Sequence, residues 1–99
     1  MFVLELTCTA SLDRVDAALA RHVDWLREHY EAGTFLASGR KVPRDGGVII
    51  AVGGDRAAVE ELTRTDPFAR EGLASYRVTE FLATTTAPAL DAHRQQPPA

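Results

Sequence analysis

The sequence predicts an α+β fold in one domain, and three observations support this prediction. The chain has 99 residues, which is the length of a single domain. Four segments have the composition of strands, either alternating in polarity or apolar throughout, and two segments repeat apolar residues with helical periodicity. These segments follow one another in the order β-α-β-β-α-β. This order builds a ferredoxin-like fold, a four-stranded antiparallel sheet with both helices on one face.

The first two elements are a strand and a long helix. Residues 2–8 alternate in polarity, which predicts a strand. Ser11 is a favourable N-cap for the helix that follows, because its hydroxyl can accept a hydrogen bond from a free backbone N–H. The helical pattern continues to about Ala32, and Gly33 is suited to end it.

The second half of the chain supplies three strands and a shorter helix. The strands are predicted over residues 34–42, 48–52 and 73–84, and the helix over residues 56–65. Gly39 indicates a bulge or a close backbone approach in the first of these strands. Residues 48–52 are apolar on both faces, which predicts a central strand covered on both sides. Asp66 precedes a proline and ends the helix, and residues 68–72 form a connector with room for one helical turn.

The predicted domain spans residues 1–84, and residues 85–99 form a tail. The tail contains three prolines and few large apolar side chains, so we expect it to be mobile or extended. Within the domain, two helices cover one face of the sheet, and no element remains for the other face. A second copy of the chain, packed sheet against sheet, is the simplest cover, which predicts a homodimer.

The composition excludes several classes of partner. The chain carries 14 acidic and 11 basic residues, for a net charge of −3, so no nucleic-acid partner is expected. No apolar run is long enough to span a membrane, and the N-terminal segment has no signal-peptide pattern. The single cysteine, Cys8, cannot form an internal disulfide, which favours a cytoplasmic location.

The long helix carries a histidine on its apolar side. At about 100° per residue, the stripe predicted to face the sheet consists of Val15, Ala18, Leu19, Val23, Leu26 and Tyr30. His22 falls inside this stripe, and His29 falls on its edge. A polar imidazole in a core-facing stripe is the most informative local feature of the sequence.

His22 and Asp66 are the candidate catalytic residues. His22 faces the sheet, and Asp66 ends the second helix in the same layer. If the two side chains meet, the carboxylate accepts the Nδ1–H of the imidazole, fixes its tautomer and leaves Nε2 free as a general base. A positioned base contributes about 10²- to 10⁴-fold, which is enough for an isomerisation or for an elimination from an acidified C–H or O–H.

Four further residues are candidates for substrate binding. Ser38, together with backbone N–H groups near Gly39, can bind the oxygen of a developing enolate. Arg40 can hold an acidic substrate, and Phe68 directly follows the Asp-Pro pair. Each side chain also has an ordinary structural interpretation, with Ser38 and Arg40 as polar strand residues and Phe68 as a plug in the core.

The sequence predicts neither a metal site nor a cofactor. His22 and His29 lie about 10 Å apart along the helix axis, too far to bind one ion, and His93 lies in the tail. The chain has no glycine-rich loop followed by a lysine, which is the pattern of a phosphate-binding site.

Four features occur together in this chain. They are a histidine midway along the first helix, an Ala-Ser-Gly run at residues 37–39, an Asp-Pro-Phe tripeptide at residues 66–68 followed by Gly72, and the β-α-β-β-α-β order. In combination they resemble the YciI-like (YCII-related) family, over about residues 1–83.

The resemblance implies a dimeric α+β barrel, similar in fold to muconolactone isomerase, with a His–Asp active site. The family's histidine, aspartate and polar strand residue fall on His22, Asp66 and Ser38. The family includes a dehydrochlorinase of a chlorinated hydroxyhydroquinone. The short hairpin at residues 43–47 and the tail depart from the family pattern, so the substrate does not transfer.

Three hypotheses about function remain open at this point. The first is a small homodimeric enzyme that performs cofactor-independent proton transfer on a small cyclic or carbonyl-bearing molecule. The second is a non-catalytic ligand-binding or assembly module, in which the His–Asp pair secures the helix to the sheet. The third is a cofactor-free monooxygenase of polycyclic aromatics, which needs a wide aromatic-lined cavity, whereas seven aromatic residues are spread along this chain.

Overall fold

The fold is described by a computed structural model that covers residues 1–97. In chain order the elements are β1 (Phe2–Cys8), α1 (Leu12–Glu31), β2 (Phe35–Arg40), β3 (Gly46–Ala51), α2 (Arg56–Thr63), α3 (Pro67–Arg70) and β4 (Ala74–Glu80). The strands form one antiparallel sheet in the order β2-β3-β1-β4. The predicted element order is confirmed, and the connector after α2 forms one helical turn.

The core lies between the sheet and the helices. Phe2 and Leu4 of β1 are buried, because alternate residues of this strand face the helices. Ile49 of β3 lies beside Leu4 in the antiparallel ladder and is also buried. Val15 of α1 and Val59 of α2 belong to the same apolar cluster, so both helices pack on one face of the sheet, as predicted.

The buried face of α1 is rotated from the predicted one. The buried residues of this helix are Val15, Ala18, His22 and Trp25. Leu19 and Val23, which the predicted stripe included, are each 40% exposed. The prediction is wrong for them because the large indole of Trp25 occupies the core side of the helix, where it packs edge-on against Phe35 with 5.3 Å between ring centroids.

Strand β2 is irregular, but not where the sequence predicted. The register against β3 shifts between Phe35 and Ala37, so the predicted bulge at Gly39 is wrong. The predicted close backbone approach does not require glycine at Gly39, where a Cβ would meet no atom within 4 Å, but at Gly47 of β3. A Cβ at Gly47 would lie 2.9 Å from the carbonyl oxygen of Gly39.

The second face of the sheet carries apolar side chains that the described residues leave partly exposed. Strand β3 is central, as predicted, and Val48 and Ile50 on its outer face are half-buried. Val3 of β1 lies directly beside Ile50 and is half-buried too. The predicted cover on both sides of β3 is therefore not supplied by residues 1–97.

The tail is not extended throughout. Residues Pro88–His93 form a 3₁₀ helix, because Pro88 supplies the fixed φ of a first helical position. Beyond it, the side chain of Gln95 accepts hydrogen bonds from the amino terminus at 2.6 Å and from the backbone N–H of Ala83 at 3.0 Å. Pro98 and Ala99, which the predicted tail includes, lie outside the described residues. Within the described part, no helix has the length and apolar content required to cross a membrane.

Candidate functional site

Asp66 is placed by the short helix that it begins. It is the N-cap of α3, and its Oδ1 accepts a hydrogen bond from the backbone N–H of Phe68 at 3.0 Å. Aspartate is a favoured N-cap residue, and Pro67 suits the first helical position because it lacks an N–H. The same proline keeps Asp66 in an extended conformation, with φ −63° and ψ 128°. The Asp-Pro-Phe sequence thus builds the turn that points the carboxylate into the core.

His22 and Asp66 are in direct contact. The Nδ1 atom of His22 lies 2.8 Å from Oδ1 of Asp66, and the carboxylate is fully buried. A buried carboxylate needs several donors, and Asp66 has three: the imidazole, the backbone of Phe68 and the hydroxyl of Tyr76. Because an ionised carboxylate only accepts hydrogen bonds, Nδ1 carries the proton in this contact.

Tyr76 supports the carboxylate from the sheet side. Its hydroxyl donates to Oδ2 of Asp66, with 2.5 Å between the oxygens. Burial raises the pKa of Tyr76 far above its ordinary value, and the negative charge of Asp66 and the hydrogen bond to it raise the pKa further. The phenol therefore stays protonated and acts as a fixed donor.

The imidazole of His22 is held between aromatic rings. The ring of Phe68 lies parallel to it, with 4.0 Å between centroids and 8° between planes. Trp25 lies on α1 with its ring centroid 5.8 Å from that of His22, and its indole N–H donates to Thr65. These contacts, together with Asp66, fix the orientation of the imidazole, so that Nε2 points in one direction.

The second nitrogen of His22 has no partner among residues 1–97. Nε2 makes no hydrogen bond with any of residues 1–97. Every buried side-chain nitrogen or oxygen in this part of the chain has a partner, so Nε2 is not sealed from solvent. His22 is 9% exposed, and it lies in the wall of a cavity. His22 therefore has one nitrogen without a partner among these residues and lines a cavity that a small molecule can enter.

The cavity has a volume of about 180 Å³ and lies between α1 and the sheet. Its apolar wall includes Leu19 and Val23, which explains why these side chains are exposed on a helix that otherwise packs against the sheet. An apolar cavity of about 150 Å³ accepts benzene. The space beside His22 therefore accommodates one ring with small substituents.

The structure gathers five of the six candidate residues around this cavity. His22, Ser38, Gly39, Arg40 and Phe68 line it, and Asp66 lies behind the imidazole. The hydroxyl of Ser38 is 2.6 Å from that of Tyr30, and one of the two donates to the other. The contact between His22 and Asp66 that the sequence predicted is present, whereas the roles of all six residues in binding or catalysis remain predictions.

Two basic residues lie at the wall of the cavity. Arg40 is exposed on β2, and Arg44 follows it in the hairpin. Arg44 is hydrogen-bonded to Asp16 of α1. This hydrogen bond lowers the pKa of Asp16, and the positive charges of Arg44 and Arg40 lower it further.

The second histidine of α1 lies outside the cavity. The imidazole of His29 packs against Trp25 and Phe35, with 5.0 and 5.2 Å between ring centroids. Over residues 1–97, no three His, Cys, Asp or Glu side chains lie close enough together to share a metal ion.

Tyr76 and Arg44 were not predicted to be site residues. Tyr76 shares a face of β4 with Val78, and both pack against the core, but a tyrosine on a strand suits either face, so no local pattern predicts its contact with Asp66. Arg44 lies in the hairpin after β2, and no local pattern predicts its pairing with Asp16, a residue 28 positions away.

Comparisons with known proteins agree with this fold. No curated protein matches the sequence. Among solved structures, the fold is similar to that of 5-chloro-2-hydroxyhydroquinone dehydrochlorinase (TftG) from Burkholderia phenoliruptrix AC1100, in complex with 2,5-dihydroxybenzoquinone. The TM-score is 0.68 at 18% sequence identity, and the match covers 82% of this chain and 93% of that chain. Residues 1–82 match the family model of the YCII-related domain. The chain therefore belongs to the YCII-related family, as its Ala-Ser-Gly and Asp-Pro-Phe segments suggested.

Proposed function

We propose that this protein is a small-molecule enzyme that transfers protons without a cofactor, with His22 as the general base and Asp66 as the residue that orients it. The observation that carries the proposal is the asymmetry of the His22 imidazole. Nδ1 is bound to Asp66 at 2.8 Å, and Nε2 has no partner among the described residues and lies at a cavity of about 180 Å³.

The reaction begins when Nε2 of His22 takes a proton from a C–H or O–H that a neighbouring carbonyl has acidified. The electron pair of the broken bond moves into the substrate and forms an enolate. In an isomerisation, the imidazolium returns the proton to another atom of the same molecule. In an elimination, the electron pair expels a leaving group such as chloride. Asp66 favours both paths because its charge stabilises the imidazolium.

The wall opposite the helix offers donors for the enolate oxygen. Ser38 has an exposed hydroxyl, and Gly39 adds backbone beside the cavity. A donor placed where negative charge develops stabilises the transition state more than the ground state. The similar fold of the dehydrochlorinase TftG, whose structure holds the one-ring molecule 2,5-dihydroxybenzoquinone, supports a substrate of the same size.

The proposal is tested with one-ring molecules whose C–H is acidified by two carbonyls, 2-acetylcyclopentanone and cyclohexane-1,3-dione. Exchange of that hydrogen for deuterium is followed by proton NMR in D₂O, with and without the protein. We expect the wild-type protein to accelerate the exchange, and His22→Gln to reduce the acceleration by about 10²- to 10⁴-fold. His29→Gln is the matched control, since His29 lies on the same helix but outside the cavity.

The outcome also separates catalysis from a structural role. If His22→Ala and His22→Gln both remain folded and only exchange is lost, His22 acts as the base. If neither probe exchanges faster with the wild-type protein, or if both variants only lower the melting temperature, the pair merely secures α1 to α3 and the enzyme proposal fails.

We further propose that a second copy of the chain covers the open face of the sheet. Val3, Val48 and Ile50 form an apolar strip there that is half-buried in the single chain. Analytical ultracentrifugation tests this proposal directly. We expect a dimer for the wild-type protein and a monomer for Ile50→Arg, and Ala20→Arg, on the exposed side of α1 away from this strip, is the control for added charge. A monomeric wild-type protein contradicts the proposal.

A further inference from the structure

We propose that the cavity beside His22 selects a one-ring molecule that carries a carboxylate, and that Arg40 is the residue that binds this charge. The proposal rests on the proposed function, because it names the class of substrate for the same site. It concerns recognition alone, so it does not depend on whether His22 moves a proton.

The wall of the cavity carries positive charge. The chain as a whole is acidic, with 14 acidic residues against 11 basic ones. None of the acidic residues of the described chain lines the cavity, whereas Arg40 and Arg44 both do. Low-dielectric walls lined by charge of one sign attract the opposite sign. The cavity is therefore suited to an anion.

The two arginines at the cavity wall are not equivalent. Arg44 is hydrogen-bonded to Asp16, so its charge already has a partner. Arg40 has neither an ion pair nor a side-chain hydrogen bond with residues 1–97. A free guanidinium offers a planar pair of N–H donors that matches a carboxylate. Arg40 is therefore the available anion-binding group.

Arg40 lies on the sheet at a position whose side chain projects toward the cavity side. Arg40 pairs with Gly47, and Ser38 pairs with Ile49, whose side chain is buried on the helix side. Residues two apart on a strand share a face, so Arg40 and Ser38 project toward the same side as the cavity. Gly47 has no side chain, so nothing opposite Arg40 on β3 blocks the guanidinium.

The volume of the cavity also suits a one-ring molecule. A cavity of about 180 Å³ is slightly larger than one of about 150 Å³ that accepts benzene. One six-membered ring with a carboxylate fits this volume. Phe68 and the aliphatic side chains of α1 supply the apolar surface for the ring.

The proposal is tested with two probes of the same shape, benzoate and its neutral analogue benzamide. Isothermal titration calorimetry at low salt measures the dissociation constant of each, since an exposed charge is screened at high salt. We expect the wild-type protein to bind benzoate about tenfold more tightly than benzamide, which corresponds to about 1.4 kcal/mol. Arg40→Gln should abolish this preference and leave benzamide binding unchanged. Arg64→Gln is the matched control, because Arg64 directly follows α2 and pairs with Glu61 outside the cavity.

A second variant tests the location of the bound probe. Val23→Trp places a large ring into the cavity from the exposed side of α1, and it should weaken both probes together. The proposal is overturned if benzoate and benzamide bind the wild-type protein equally, if Arg40→Gln keeps the preference, or if Val23→Trp binds both probes normally. His22→Gln should keep the preference for benzoate, so a failure of catalysis and a failure of anion recognition give different results.

Discussion

The hydroxyl of Tyr76 donates to Oδ2 of Asp66, the carboxylate oxygen that His22 does not use. The two contacts come from different layers of the fold, since Tyr76 lies on β4 and His22 on α1. The backbone of Phe68 adds a third donor from α3. Asp66 is thus the point at which the sheet and two helices are joined by polar contacts, and its position determines that of the imidazole.

Removing the Tyr76 hydroxyl should destabilise the fold. A hydrogen bond to a charged group contributes about 1.5–3 kcal/mol, and Tyr76→Phe removes this one without changing the ring. We expect urea denaturation to show that the unfolding free energy falls by this amount. Tyr30→Phe is the control, because its hydroxyl bonds to Ser38 on the surface and should cost about 1 kcal/mol or less. Equal losses for the two variants would contradict the role assigned to Tyr76.

Tyr76 should also make stability fall at alkaline pH. Burial, the charge of Asp66 and the hydrogen bond raise the pKa of Tyr76 above the value of about 10 that tyrosine has in an unfolded chain. The folded state therefore holds the proton more tightly, and this stabilisation is complete below about pH 10 and is lost progressively above it. Between about pH 9 and pH 11, the unfolding free energy of the wild-type protein should fall by about 1.4 kcal/mol more than that of Tyr76→Phe. Urea denaturation of both proteins across this pH range measures the difference. Parallel curves of unfolding free energy against pH would contradict the prediction.

Replacing the carboxylate of Asp66 with an amide should impair both folding and exchange. Asp66→Asn keeps the shape of the side chain, but it removes the charge that stabilises the imidazolium and one of the acceptors. We expect a loss of about 2–4 kcal/mol in stability and of at least about 100-fold in the exchange of 2-acetylcyclopentanone. The two losses are measured by urea denaturation and proton NMR. Exchange at nearly the wild-type rate in a folded Asp66→Asn protein would show that the carboxylate has no part in the reaction.

The sheet beside the cavity should tolerate a side chain at Gly39 but not at Gly46. A Cβ at Gly46 would overlap the carbonyl group of Leu6 on the neighbouring strand, with the carbonyl carbon at 2.8 Å. A Cβ at Gly39 would meet no atom within 4 Å. Gly46→Ala should therefore cost about 2–3 kcal/mol, whereas Gly39→Ala should be close to neutral. Thermal unfolding of the two variants provides the comparison, and a stable Gly46→Ala protein would contradict the register of β1 and β3.

The His22–Asp66 contact was predictable because each residue carries a strong local signal. An imidazole among apolar helix residues must find a polar partner, and an aspartate before proline is fixed at the start of a turn. The contribution of Tyr76 was not predictable from local pattern, because a tyrosine on a strand suits either face equally well. Its partner is determined only when β4 is placed beside β1.

The face of α1 was mispredicted for a related reason. Periodicity marks Leu19 and Val23 as apolar, but it does not distinguish a side chain that packs into the core from one that lines an open cavity. Trp25 fills the core side, and the two smaller residues are left at the cavity. The two residues that depart from the predicted stripe therefore both line the cavity.

The most direct measurement is the protonation of the two nitrogens of His22, observed by NMR on protein with ¹⁵N-labelled histidine. For the neutral imidazole we predict a proton on Nδ1 and none on Nε2, and a change in the Nε2 resonance alone when benzoate is added. Asp66→Asn should weaken this tautomer preference. A proton on Nε2, or an Nε2 signal that does not respond to any small molecule bound in the cavity, would contradict the account of His22 as a base held ready for a substrate.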